Sequence, residues 1–370
     1  MLSVRNRYFA FGLVGALLAL ACRKKEPPKP EIAPASTAAV LIASAKPVEI
    51  DPRSLAHDLG AMPIPTNNPQ TPEKIALGQQ LFFDKRLSGD GTRACYSCHQ
   101  NEDGSGGHDP LSMGADGKLL PRHSPTLWNV GYLSKTYWDG RADSLEALMK
   151  SAWAGNNMGV GKDNLDKKAK EIAKIKGYKQ AFAKAFPKDG VTADTIAQAV
   201  SAYERTLVCN NTAYDRFAKG EAAALSSDQK TGLGIFMGKA ACVMCHTPPF
   251  FSSAYGTPGG SFFNTGMGTD VAEDKIDVGR FKVTQSEGDW ASFKVPSLRN
   301  VSKSAPYFHN GSIAKLEDAV AFMAKGGLAN KNKSPLLSDR KLTSEELSSL
   351  VAFLKGLDCD GKLEEPKLPE

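Results

Sequence analysis

The chain has 370 residues, with 46 lysines and arginines against 40 aspartates and glutamates, a formal charge of +6. Loss of Arg5 and Arg7 with an N-terminal leader would leave +4, the mild excess of an ordinary solvated surface. That balance argues against a nucleic-acid-binding footprint. About 300 residues beyond the leader and its linker suit two domains of ordinary size.

Residues 1–22 read as an export signal, with Arg5 and Arg7 as the charged region and Phe9 to Leu20 as a short apolar stretch. The stretch is shorter than the ~20 apolar residues that a transmembrane helix requires. It ends Leu18-Ala19-Leu20-Ala21-Cys22, small residues before a cysteine, as in bacterial lipoprotein signals. Cys22 is therefore expected to carry lipid and to anchor a periplasmic protein to a membrane. Leu18 stands four residues before the cysteine where such signals have three, and ordinary cleavage is the alternative. Residues 23–50 hold Lys24, Lys25 and five prolines among many alanines, with no helical or strand period. They read as a flexible tether.

The first helix signal is Thr71-Pro72-Glu73, an N-cap followed by proline at the first helical position. Ile75, Leu77, Leu81 and Phe82 continue it as an apolar face running toward Cys95. Helices are expected at Leu145–Ala154, Leu165–Phe186 and Thr192–Leu207. Another starts at Ser226, where Leu233, Ile235 and Phe236 lead to Cys242. Two more are expected at Leu316–Lys325 and Thr343–Leu357. The last opens with a capping box, Thr343 to Glu346, and carries a stripe of Leu347, Leu350, Val351 and Leu354. The Gly/Pro-rich stretches 103–126 and 247–271 read as loops.

Between these elements stand Cys95-Tyr96-Ser97-Cys98-His99 and Cys242-Val243-Met244-Cys245-His246. Cys-x-x-Cys-His is the attachment pattern of c-type haem. Two thiols add across the haem vinyl groups, and the histidine becomes the proximal iron ligand. A zinc or thiol-redox site could use Cys-x-x-Cys. It would need no histidine in the fifth position and would rarely occur twice. Two covalently bound haem c groups are therefore expected, each after a helix, as in cytochrome c domains. The expected fold is all-α, two cytochrome c-like domains with long loops: residues 51–225 and residues 226–370. Cys209 and Cys359 remain, and in an oxidising compartment they are expected to form one disulfide, two free thiols being the alternative.

An iron with one histidine needs a second ligand, which makes an electron-transfer centre, or an open site, which can bind peroxide or oxygen. Methionine sulfur, or imidazole from His108, His123 or His309, could supply that ligand.

With these residues the chain resembles the bacterial diheme cytochrome c peroxidases and their tryptophylquinone-forming relatives, from about Thr71 to Leu357. Beside the haem motifs, the resemblance rests on Ser124-Pro125-Thr126, on Tyr137-Trp138-Asp139-Gly140-Arg141-Ala142 and on Ala202-Tyr203-Glu204-Arg205-Thr206-Leu207. It continues through Phe293-Lys294-Val295-Pro296-Ser297-Leu298-Arg299-Asn300 and Ala305-Pro306-Tyr307-Phe308-His309-Asn310-Gly311, and ends in Leu316-Glu317-Asp318-Ala319-Val320.

The resemblance implies that Trp138 lies between the haems and assists electron transfer; a space-filling aromatic is the plainer reading. It implies that Met323 caps the His246 iron, where the tryptophylquinone-forming relatives have tyrosine. Met267, in Gly266-Met267-Gly268, is the competing sulfur. It implies that His309 orients a haem propionate. It further implies an inter-domain calcium held by carbonyls at Ser304 and Pro306, with His123 where relatives place asparagine, a poor ligand for a hard cation. The His99 haem departs from the family. The displaceable histidine expected sixteen residues after His99 is Ala115, and the glutamine and glutamate of the peroxide pocket correspond to Leu148 and to Asn156-Asn157-Met158. Either His108, His123 or Met113 caps this iron instead, or it stays five-coordinate.

The implied function is reduction of hydrogen peroxide to water at the His99 haem, with electrons from a small cytochrome c or cupredoxin passing through the Met323-capped haem and Trp138. The alternatives are oxidation of a protein or small-molecule partner, and a diheme electron carrier without catalysis. A homodimer is an open option.

Overall fold

The hydroxyl of Thr71 accepts from the Lys74 amide and Pro72 fills the first helical position, so helix α1 runs Pro72–Phe83. The computed structural model that contains it describes residues 51–370, the side chain of Arg53 excepted. The expected signal, Cys22 and the tether lie outside the described residues. The other α-helices are α2 (Leu145–Ala154), α3 (Leu165–Ile172), α4 (Lys176–Ala185), α5 (Ala193–Glu204), α6 (Ala213–Ala218), α7 (Ser227–Met237), α8 (Phe281–Thr284), α9 (Leu316–Ala324) and α10 (Ser344–Lys355). Among the described residues, extended structure is confined to isolated bridges and to β1 (Phe262–Phe263), which pairs antiparallel with β2 (Phe293–Lys294). The chain is helix-rich with little strand, as expected.

Side-chain caps explain where the helices begin. Ser226 and Gln229 form a capping box at α7, and Thr343 and Glu346 form the expected one at α10. The one long helix expected over 165–186 is two. Ile175 is extended (ψ 116°), and beyond it the Gly177 amide donates to the Glu370 carbonyl at 3.1 Å. A Cβ on Gly177 would lie 2.5 Å from Pro369, so the C-terminal tail packs where a continuous helix would have carried a side chain. A contact so remote in sequence has no local signature. The short helix α6 was not anticipated either.

The helices build two apolar cores. One gathers Leu77, Leu81 and Phe82 of α1, Trp153 of α2, Phe182 of α4 and Val200 of α5. The other gathers Leu233 and Phe236 of α7, Leu316 of α9, and Leu350, Phe353 and Leu354 of α10. Each centres on one close helix pair, α1 on α5 and α7 on α10. Both pairs approach through a glycine. A Cβ on Gly78 would lie 1.9 Å from the Ala199 carbonyl oxygen, and a Cβ on Gly232 would lie 1.9 Å from that of Ser349.

The loops repeat as well. Pro125-Thr126-Leu127-Trp128-Asn129-Val130 and Pro296-Ser297-Leu298-Arg299-Asn300-Val301 each place asparagine in the left-handed region at φ 63°. Each asparagine Oδ1 then accepts from the amide of a cysteine, Asn129 from Cys209 at 2.9 Å and Asn300 from Cys359 at 3.0 Å. Those two cysteines form the expected disulfide, spanning 150 residues. Residues 136–142 and 307–313 are a second matching pair. Each is closed by an antiparallel bridge, Thr136 to Ala142 and Tyr307 to Ile313. Trp138 and His309 hold equivalent places in them.

Candidate haem sites

Each Cys-x-x-Cys-His motif forms one 3₁₀ turn, Cys95–Ser97 and Cys242–Met244, and all four cysteines are free of disulfides. The following histidines are oriented alike. His99 Nδ1 lies 3.3 Å from the Ser105 carbonyl oxygen, and His246 Nδ1 lies 3.0 Å from that of Phe251. A carbonyl can only accept, so Nδ1 carries the proton and Nε2 is left as the ligating nitrogen. Burial holds both rings neutral, pulling His99 down to about 4 and lowering His246. Burial also pushes the Cys242 thiol up to about 11, which is the reverse of an activated redox thiol. Free thiols in the right turn beside neutral, pre-oriented imidazoles fit covalent haem at both motifs.

The loop that presents the Phe251 carbonyl is held by a buried ion pair. Arg299 meets both Asp215 oxygens at 2.7 Å, and its Nε donates to the Pro249 carbonyl at 2.8 Å. Both side chains are 0% exposed. Arg299 thus braces the 249–251 segment from which the Phe251 carbonyl meets His246.

A cavity of about 250 Å³ opens beside the second motif, bounded by Cys242, His246, Met323 and Trp138 together with apolar Phe236, Leu298 and Leu354. Met323 reaches this wall from α9. Met267 is not part of the wall; its sulfur accepts from the Ser312 hydroxyl at 3.1 Å.

Trp138 stands at the meeting point of the two halves. Its indole N–H donates to the His123 carbonyl at 2.8 Å, and the His123 amide donates to the His309 carbonyl at 2.7 Å. The Trp138 carbonyl accepts from the Lys294 amide at 2.7 Å. The His309 ring stacks on Phe293 with centroids 3.7 Å apart, and burial lowers it to about 4, so as a neutral ring it still offers one N–H. Arg122 fastens this layer, pairing with Asp139 at 2.7 Å and Asp277 at 2.6 Å.

On the His99 side the structure brings Ala115 against Asn156, in the stretch where the resemblance leads one to expect the peroxide-pocket residues. The Ala115 amide donates to the Asn156 carbonyl at 3.0 Å, and Ala115 is 1% exposed. Leu148, on α2, accepts through its carbonyl from the Tyr137 hydroxyl at 3.4 Å. Of the substitute ligands, His108 is exposed and paired with Asp103 at 3.0 Å. His123 is buried, with Nδ1 held 3.1 Å from the Asp109 carbonyl oxygen. Met113 and His108 both border a cleft of about 390 Å³ against Cys98.

His123, Ser304 and Pro306 all line the cavity beside the second motif. Among the described residues no group of three or more histidine, cysteine, aspartate or glutamate side chains is arranged to hold a metal ion.

Three features went unread in the sequence. Asn129 and Asn300 were legible through the repeated Pro-x-Leu-x-Asn-Val. Glu204, beside Cys95, makes no hydrogen bond through Oε2, and burial pushes it up to about 8; only packing reveals this. Lys294 is buried with nothing in the strand pattern to announce it.

Paired cytochrome c-type motifs, each accompanied by a matching close helix pair, define a diheme c-type redox protein. Comparison with known proteins narrows the class. The family model of di-haem cytochrome c peroxidases matches residues 72–223. Cytochrome-c peroxidase IdrP1 of Denitromonas iodatirespirans is 35% identical, over 84% of this chain and 89% of its own. Methylamine utilization protein MauG of Methylorubrum extorquens is 33% identical, over 84% and 85% respectively. The crystal structure of a MauG-like protein associated with microbial copper homeostasis is similar at a TM-score of 0.75 and 31% identity, covering 82% of this chain and 94% of that one. The chain belongs to the diheme cytochrome c peroxidase family, which includes the MauG-like enzymes. It is an oxidoreductase of that family and carries two covalently bound haem c groups.

Proposed function

We propose that this protein reduces hydrogen peroxide to water with electrons from a small c-type cytochrome or cupredoxin. The observation that carries the reading is the wall shared by His246, Met323 and Trp138, with the Trp138 indole bonded toward the His99 half through His123. The haems supply the redox chemistry; the protein supplies ligands, distance and access. Met323 would supply its sulfur as the second ligand of the haem that His246 would hold, a pairing that raises potential and suits electron entry. Trp138 bridges the halves, with its indole Nε1 donating to the His123 carbonyl. His99 is the proximal ligand of the peroxide-reactive centre.

Reduction of one peroxide consumes two electrons and two protons, so a proton donor near the bound oxygen matters. Leu148 and Asn156-Asn157-Met158 offer no carboxylate there, and the Ala115 methyl offers no ligand. General acid–base assistance typically contributes about 10²–10⁴-fold, so these residues would slow peroxide cleavage, and an iron left without a substitute ligand would bind peroxide with none to release. The same vacancy of acid–base groups supports a second reading, oxidation of a protein or small-molecule partner, as does the comparable similarity to MauG. A third, electron transfer alone, requires both irons to be six-coordinate. Export and lipidation at Cys22 place the protein in the periplasm on a membrane in this reading; among the described residues no helix is long and apolar enough to cross one.

Stopped-flow mixing of the fully oxidised diheme protein with peroxide tests the proposal. A prompt spectral change at the high-spin haem, followed by turnover with a reduced donor, is expected. Reaction only after one-electron reduction would mean that a substitute ligand gates the His99 iron. Two low-spin haems inert to peroxide in every redox state would leave the carrier.

A further inference from the structure

Two cations line the second cavity: Arg340 donates to the Leu336 carbonyl at 2.7 Å, whereas among the described residues the Lys294 ammonium has no partner at all. Lys294 is 8% exposed and borders the same cavity as His246 and Met323. Other buried cations in the molecule have partners: Arg299 has Asp215, Arg122 has Asp139 and Asp277, and Arg205 has Glu146. Lys74 donates to Asn68 and to the Pro69 carbonyl. Among the described residues no hydrogen bond or ion pair reaches the Lys294 ammonium, and burial alone acts on it, lowering it to about 8. A buried charge is costly unless something opposite in sign accompanies it. The wall around it is apolar, with Phe263, Val295, Pro296 and Leu298. The anion must therefore come from whatever fills the cavity, and a c-type haem carries two propionates.

We propose that the Lys294 ammonium pairs with a propionate of the haem attached at Cys242 and Cys245, and that its charge raises the potential of that haem. The proposal rests on the haem reading of the second motif. A fixed positive charge favours the reduced iron, which carries one positive charge fewer. Lys294 also donates its backbone amide to the Trp138 carbonyl, so the residue that tunes this centre is tied to the bridge out of it.

The test uses holoprotein matured with both haems, comparing wild type, Lys294→Met and Lys294→Arg by spectroelectrochemical titration. At the wild-type midpoint of the His246 haem, Lys294→Met should lower the ferrous-to-ferric ratio about tenfold, equivalent to about 59 mV for one electron. Lys294→Arg should restore the ratio to near wild type, because it keeps the charge. A wild-type ratio in a Lys294→Met protein with both haems overturns the proposal, and so does an equal fall in both variants, which would mark a structural role. If Lys294→Met fails to retain its second haem, the resonance Raman propionate-bending band decides. It should move between wild type and Lys294→Arg, and an unmoved band overturns the pairing. Absence of a second covalent haem from the wild type would instead sink the haem reading itself.

Discussion

Replacing Cys209 and Cys359 together by alanine removes a cross-link whose two ends lie 150 residues apart. Covalent haem attachment ties cysteines only three residues apart and closes no long loop, so among the described residues this cystine alone restrains the unfolded chain at long range. Loop-closure entropy for a ring of about 150 residues corresponds to about 5 kcal/mol near room temperature, an upper figure because denatured chains retain structure. The native state loses little in exchange. Asn129 still accepts from the residue 209 amide and Asn300 from the residue 359 amide, since both bonds are made by backbone. The loss should therefore fall almost wholly on the unfolded ensemble. Urea denaturation of both holoproteins, followed by far-UV circular dichroism, should give a destabilisation of about 3–5 kcal/mol and a larger dependence on denaturant, because the freed chain exposes more surface. Stability within about 1 kcal/mol of wild type, with an unchanged slope, would refute the entropic account.

Met323→His should keep the His246 haem low-spin while lowering its potential, because imidazole favours ferric iron more than thioether does, and the sulfur-to-iron absorption band should vanish. Those changes in Met267→His but not in Met323→His would mean that the other methionine is the ligand. Gly78→Ala and Gly232→Ala each thrust a methyl to within 1.9 Å of a facing carbonyl oxygen, so each should destabilise by about 1–3 kcal/mol through helix separation. Thermal melts should show comparable losses at both positions; indifference at either would mean that its helix pair can slide apart without cost.

The local chemistry of this protein is written in short stretches. Cys-x-x-Cys-His needs five consecutive residues, and helix caps such as Thr71-Pro72 and Thr343 to Glu346 need four or fewer, so both are legible without a fold. The expected helix starts fell within a residue wherever side-chain caps set them, while the end expected at Leu207 falls at Glu204. The haem expectation is of this kind, and family membership supports it. The division of α3 from α4 was not legible, because its cause is Gly177 meeting Pro369 from the other end of the chain. The pairing of Cys209 with Cys359 followed by arithmetic, but their alignment by two equivalent asparagines required the tertiary structure. So did the convergence of Trp138, His123 and His309 on one hydrogen-bonded layer, and the isolation of Lys294 and Glu204 from solvent. Sequence encodes what neighbouring residues do to one another through bonds, turns and caps. Burial and long-range contact depend on how distant segments pack, and those distances determine which charges stay unpaired and which side chains can reach a haem.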